Sequence, residues 1–141
     1  MKPRSFNPKR DYPLASKRPD LIQTPSGLRF SEITLDQVIE GKIGLGEIRI
    51  HPQTLEYQAQ VADAHGRSSL AENFRRAAEL TRVPDEEVLR IYNALRPRQA
   101  TKEELLGIAR HLEKSYRARR NARFIREAAN VYEKRDLLKK S

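Results

Sequence analysis

Histidines are the first residues to consider for metal binding or acid–base catalysis. The chain has three, His51, His65 and His111. Their spacing does not match a zinc motif such as HExxH, which places two histidine ligands one helical turn apart. We therefore interpret them as surface or helix-capping residues. The chain contains no cysteine, which excludes disulfides, thiolate metal sites and cysteine nucleophiles.

Two other segments resemble catalytic motifs but have simpler explanations. Asp85, Glu86 and Glu87 follow Pro84 and fall in the first turn of a predicted helix, where carboxylates complement the helix dipole. The run over 41–46 reads Gly-Lys-Ile-Gly-Leu-Gly, whereas a phosphate-binding loop has Ser or Thr after its lysine and a buried strand before it. We therefore predict no catalytic, cofactor-binding or metal-binding residues in this chain.

Basic side chains could bind nucleic acid. Arg119, Arg120, Arg123 and Arg126 share one face of a predicted C-terminal helix and could follow a phosphate backbone. Aromatic residues do not alternate with them as a platform for stacked bases requires. The net charge is +9, and residues 114–141 carry ten basic and three acidic side chains. A basic terminal segment of this kind suits nucleic acid or an acidic protein, so both partners stay open.

The N-terminal segment, residues 1–30, is predicted to be an extended arm. It contains five prolines, which remove backbone donors and disfavour helix. It also carries apolar side chains, among them Tyr12, Leu14 and Leu21. We expect the arm to lie in a groove, either on its own chain or on a neighbour.

Residues 31–141 are predicted to form a helical domain, so the fold class is all-α with about five to six helices. A short helix over 34–40 should end at Gly41 and be followed by a turn and a brief extended stretch. Later helices are predicted over 52–66, from 68, from 84 to Pro97, from 101, and from about 116 to 137. Thr101 and Glu104 are spaced as a capping box at the start of one of them.

The composition places limits on the rest. The chain has 141 residues, 38% of them hydrophobic, which is enough for one domain with a thin core. No apolar run approaches the roughly 18–20 residues that cross a bilayer, and no apolar segment follows the basic start. We therefore expect neither a membrane span nor a secretory signal.

Six stretches of the sequence carry a family resemblance. They are Asp11–Ala15, Gln53–Gln60, Asn73–Leu80, Ile91–Pro97, Glu104–Leu106 and Phe124–Ala129. In order and spacing they resemble the small subunit of adenosylcobalamin-dependent glycerol and propanediol dehydratases. The resemblance covers residues 11–138.

This resemblance implies a hydro-lyase with two copies each of a large, a medium and a small subunit. The large subunit is a TIM barrel that holds substrate and a metal ion, and adenosylcobalamin lies between it and the medium subunit. A radical reaction converts a 1,2-diol or glycerol to an aldehyde and water. The small subunit is a non-catalytic helical chain packed on the large one. The alternative is a small basic helical module that binds nucleic acid.

Two sets of residues are expected at the subunit interface. Tyr12, Pro13 and Leu14 should anchor the arm to the large subunit. The other set comprises Arg75, Arg76 and Arg96, which are candidates for hydrogen bonds between subunits. In contrast, we expect the neighbouring Phe74, Tyr92 and Leu95 to lie in the core.

The resemblance also bears on location and substrate. Members of the family that reside in protein-shelled microcompartments often resemble one another in a longer N-terminal extension, whereas ten residues precede Asp11 here. We therefore expect a cytoplasmic enzyme of the glycerol-type branch, with a microcompartment as the second option.

Overall fold

The computed structural model describes residues 4–24, 27–32, 34, 36, 39–41 and 50–140. Six α-helices are found in this part of the chain: α1 (Leu14–Lys17), α2 (Pro52–Ala64), α3 (Ser68–Leu80), α4 (Asp85–Ala94), α5 (Lys102–Tyr116) and α6 (Arg119–Lys134). Two 3-10 helices span Pro19–Leu21 and Phe30–Glu32. Within the described ranges, β structure is limited to an isolated bridge between Gln23 and Arg29. The all-α prediction is confirmed.

The arm is not extended throughout, because it contains α1 and the 3-10 helix Pro19–Leu21, and the second 3-10 helix begins at its last residue, Phe30. Pro13 precedes α1, and Pro19 is the first residue of the next helical turn. A proline in a first helical turn removes no hydrogen bond, so frequent prolines prevent long helices but permit single turns. The helix predicted over 34–40, the glycine-rich turn after it and the stretch over 47–50 lie largely outside the described residues.

The chain divides into two compact units, Met1–Ala78 and Glu79–Ser141. In the first unit, Ala59 and Ala62 of α2 and Ala71 of α3 are buried together, and Phe74 packs against them. Alanines at the contact let two helices approach closely. The boundary that the sequence predicts near residue 30 stays a prediction.

Among the described residues, the larger buried cluster belongs to the second unit. Its centre is formed by Leu105, Ala109 and Leu112 of α5 with Ile125 and Ala129 of α6. The inner face of α4 covers this centre through Val88, Ile91, Ala94 and Leu95. The fully buried leucines and the facing alanines make α5 and α6 the centre of the unit.

Most helix ends follow local sequence signals. Pro52 is the first residue of α2, and Gly66 follows that helix with a φ of +73°. Thr101 and Glu104 form the predicted capping box at the start of α5. The start of α6 differs from the prediction of about 116. Arg117 adopts a left-handed conformation with a φ of +54°, which ends α5 and lets α6 begin at Arg119.

Candidate functional site

The arm is organised around a buried carboxylate. Asp11 is fully buried and accepts hydrogen bonds from Arg10 Nε at 2.8 Å, Arg4 Nη2 at 2.9 Å and the backbone N–H of Asn7 at 2.9 Å. Arg18 Nη1 lies 3.3 Å from the same carboxylate. The hydrogen bond from Arg10 is the main cause that holds the pKa of Asp11 well below its usual range. This ionised cluster fixes the backbone that leads into Tyr12.

The three predicted arm anchors lie side by side along a groove of the first unit. Its volume is about 650 Å³. Residues of the arm line one part of it and residues of α2 and α3 another: Tyr12, Pro13, Leu14, Val61, Leu70 and Phe74 are among them. Tyr12 is 53% exposed, and its ring centroid lies 5.7 Å from that of His65. Pro13 is also exposed, whereas Leu14 is buried in its own chain.

The two predicted α3 arginines have different surroundings. Arg75 Nη1 lies 2.8 Å from Asp63 Oδ2, and Arg75 Nε lies 3.5 Å from Glu56 Oε2. Both carboxylates are on α2, so Arg75 ties the two helices together. Arg76 is half-buried and donates a hydrogen bond to Asn73 Oδ1.

The prediction that Tyr92 lies in the core is wrong. Tyr92 is 72% exposed and Leu89 is 64% exposed. Val88, Ile91, Ala94 and Leu95 already fill the face of α4 that packs on the core of the second unit, and Leu89 and Tyr92 lie outside that face. The predicted interface residue Arg96 is also exposed and lies just after the end of α4. Leu95 is half-buried and packs against the core, as expected.

A carboxylate that sequence reasoning did not single out caps α6. Ala118 precedes this helix and provides no side-chain cap. Instead, Glu79 Oε1 accepts the backbone N–H of Arg120 at 3.0 Å, and Oε2 accepts the backbone N–H of Asn121 at 3.0 Å. The Asn121 amide also donates to Glu79 at 2.8 Å. Glu79 therefore satisfies donors that a helix start leaves unpaired.

A second unforeseen group joins α4 to α5. Glu87 accepts a hydrogen bond from the Tyr116 hydroxyl at 2.6 Å, and its other oxygen lies 2.6 Å from His111 Nε2. The hydrogen bond from Tyr116 lowers the pKa of Glu87, and the same bond raises the pKa of Tyr116. This group links two helices of the core and has the geometry of a structural tie.

The three histidines make local contacts. His51 Nδ1 accepts the backbone N–H of Gln53 at the start of α2. His65 Nδ1 lies 2.8 Å from the carbonyl oxygen of Val61, and His111 pairs with Glu87. Among the residues that the structure describes, no group of three or more His, Asp or Glu side chains is placed to hold a metal ion. Nor does any helix in this part of the chain have the length and apolarity needed to cross a membrane.

Comparison with known proteins gives consistent matches. The family described as "Dehydratase small subunit" matches residues 8–139. The chain is 50% identical over 129 residues to the propanediol dehydratase small subunit of Salmonella typhimurium, covering 92% of this chain and 75% of that protein. It is 49% identical, with the same coverage, to the propanediol dehydratase small subunit of Citrobacter freundii.

Proposed function

The chain belongs to the dehydratase small-subunit family, and from this premise we propose that it completes an adenosylcobalamin-dependent enzyme whose chemistry resides in its partner chains. The observation that carries the proposal is the family match over residues 8–139, together with about half-identical relatives that cover 92% of the chain. The nucleic-acid alternative has no support among these relatives.

The proposed substrate is a 1,2-diol, which loses water to give an aldehyde. Both relatives are named for propanediol, and this supports propane-1,2-diol. Glycerol, which we expected from the sequence, stays the alternative within the same reaction class.

The proposed assembly contains two copies each of a large, a medium and a small subunit. When bound, adenosylcobalamin supplies a cobalt–carbon bond whose homolysis starts the radical reaction. The described residues of this chain do not themselves fit such a site, because ring nitrogens of all three histidines engage in local contacts. We therefore assign cofactor and substrate to the large and medium subunits, and we derive no chemical step from this chain.

The proposed role of this chain is to supply a preformed surface for those partners. Tyr12 and Pro13 are exposed at the groove, where an apolar side chain of a partner could enter. Leu89 and Tyr92 of α4, with Arg96 just beyond the end of that helix, form a second exposed surface. Tyrosine and arginine are enriched among residues that dominate binding energy. Both surfaces combine apolar area with polar groups, as protein interfaces do.

The other three predicted residues have more specific roles in the proposal. Leu14 is buried in its own chain, so it would hold the arm in place next to the partner. Arg75 would act in the same way by fixing α3 to α2 through Asp63 and Glu56. Arg76 is half-buried and is proposed to contact the partner directly.

Co-expression tests this function. The chain carries an affinity tag and is produced with the large and medium subunits of a diol dehydratase. We expect both chains to be retained in equal amounts and the complex to form aldehyde from propane-1,2-diol when adenosylcobalamin is added. Retention of neither chain would contradict the proposal.

The proposed location is the cytoplasm, with a protein-shelled microcompartment as the alternative. The absence of cysteine is compatible with a reducing compartment. Fractionation of the native cell, followed by detection of this chain with an antibody, distinguishes the two locations.

A further inference from the structure

None of the proposed interface residues lies on α6, whose outward side is exposed. The inward side of this helix is buried in the core through Ala122, Ile125 and Ala129. The opposite side carries six exposed residues, which we call the α6 outer face: Arg120, Arg123, Phe124, Glu127, Val131 and Lys134. This face is exposed, but it is not uniformly polar.

Two large apolar side chains interrupt the polar surface. Phe124 is 43% exposed and Val131 is 41% exposed. They are two helical turns apart, which separates them by about 10 Å along the axis at a rise of ~1.5 Å per residue. Two apolar side chains at this spacing suit a docked helix or loop that offers two matching depressions.

The charge of the outer face is predominantly positive. Arg123 and Lys134 are exposed next to the apolar pair, and residues 114–141 contain ten basic and three acidic side chains. On the flank of the helix, Arg126 is paired with Glu113 at 2.6 Å, so its charge is balanced within the chain. A partner that covers the outer face must therefore supply carboxylates as well as apolar surface.

We infer that the α6 outer face docks an acidic, partly apolar surface of another subunit of the dehydratase. Phe124 and Val131 enter apolar depressions of that subunit, while Arg123 and Lys134 face its carboxylates. This inference rests on the proposed function and adds a surface to it. Nucleic acid fits the face less well, because the Glu127 carboxylate would lie against phosphates and Val131 offers no ring for base stacking.

Two double variants test the inference in the co-expressed three-chain complex. Phe124→Ala with Val131→Ala removes the apolar contacts, and Arg123→Glu with Lys134→Glu reverses the charge. Arg110→Glu with Lys114→Glu, at two exposed positions of α5, is the charge-matched control. Thermal unfolding of each isolated chain verifies that its fold is retained.

We expect each double variant to weaken retention of the partner chains about tenfold or more, since a few apolar and charged residues dominate such interfaces. Added salt should weaken the wild-type complex more than the charge-reversed one. Retention of both double variants at the wild-type level would overturn the inference and leave the proposed function standing. Failure of the wild-type chain to bind any partner would refute both. Tight binding of a labelled single-stranded oligonucleotide, lost in the charge-reversed variant, would favour nucleic acid instead.

Discussion

Removal of the Glu79 carboxylate should destabilise the second unit, because this side chain replaces the missing cap of α6. Glu79 accepts two backbone N–H groups and the Asn121 amide at distances of 2.8–3.0 Å. Loss of a helix cap costs about 0.5–2 kcal/mol, and a carboxylate at this end also complements the helix dipole.

The Asn121 side chain adds to the cost of Glu79→Ala. Asn121 is 7% exposed, so part of its hydrogen-bonding capacity loses a partner in a place that water reaches poorly. An unsatisfied buried group costs about 1–3 kcal/mol. Because Glu79 is half-buried, water can enter the space left by its side chain and replace part of the lost hydrogen bonding, which reduces this cost. We expect a total loss of about 2–3 kcal/mol in the free energy of unfolding. For a chain of this size, the corresponding fall in Tm is roughly 8–12 °C.

Thermal unfolding followed by circular dichroism at pH 7 measures this loss. Glu79→Gln keeps an acceptor oxygen but loses the charge and the second acceptor, so its Tm should lie between that of the wild type and that of Glu79→Ala. The control is Glu127→Ala on the exposed side of α6, which should change the free energy of unfolding by less than about 0.5 kcal/mol. A Tm for Glu79→Ala equal to that of the control would refute the capping argument.

Three further changes test other parts of the structure. Leu112→Ala removes a fully buried side chain and should lower the free energy of unfolding by about 3 kcal/mol in chemical denaturation, whereas a loss below ~1 kcal/mol would contradict its central place in the core. Tyr116→Phe removes the hydrogen bond from Tyr116 to Glu87. The pKa of Glu87 is lowered in the folded state, so the stabilisation from this bond is lost in acid as Glu87 is protonated. The pKa of Tyr116 is raised in the folded state, so the same stabilisation is lost in alkali as the hydroxyl ionises. The Tm difference from wild type should therefore be largest between about pH 5 and 9 and shrink on both sides, and a difference independent of pH would argue against the contact. Tyr12→Ala should leave the Tm within about 2 °C but reduce retention of the partner chains about tenfold, and unchanged retention would remove Tyr12 from the interface.

The sequence predicts those features that depend on neighbouring residues. The capping box of Thr101 and Glu104, the start of α2 at Pro52 and its end before Gly66 are confirmed. Each of these signals acts within one helical turn, where residue type and spacing determine the hydrogen bonds. The all-α class follows from the same local periodicity.

Features that depend on distant residues were not predicted. Glu79 reaches an amide 41 residues further along the chain, and no local pattern indicates such a contact. Tyr92 falls next to apolar residues of α4, but the inner face of that helix is already filled by Ile91 and its neighbours. Hydrophobicity alone does not decide which of two adjacent apolar residues faces inward.

The candidate site was only partly accessible from the sequence for the same reason. The apolar residues of the arm, Tyr12 among them, predicted that it lies in a groove. The sequence did not predict the cluster that fixes the arm, in which Arg4, Arg10 and Arg18 converge on the buried Asp11. In a chain with 28 Lys and Arg, the sequence does not indicate which basic residues converge on one carboxylate.

Native mass spectrometry of the complex, purified gently through a tag on this chain, tests the central claim most directly. We expect one species that contains two copies of this 16.3 kDa chain with two large and two medium dehydratase subunits. Detection of this chain alone, or with partners other than dehydratase subunits, would contradict it.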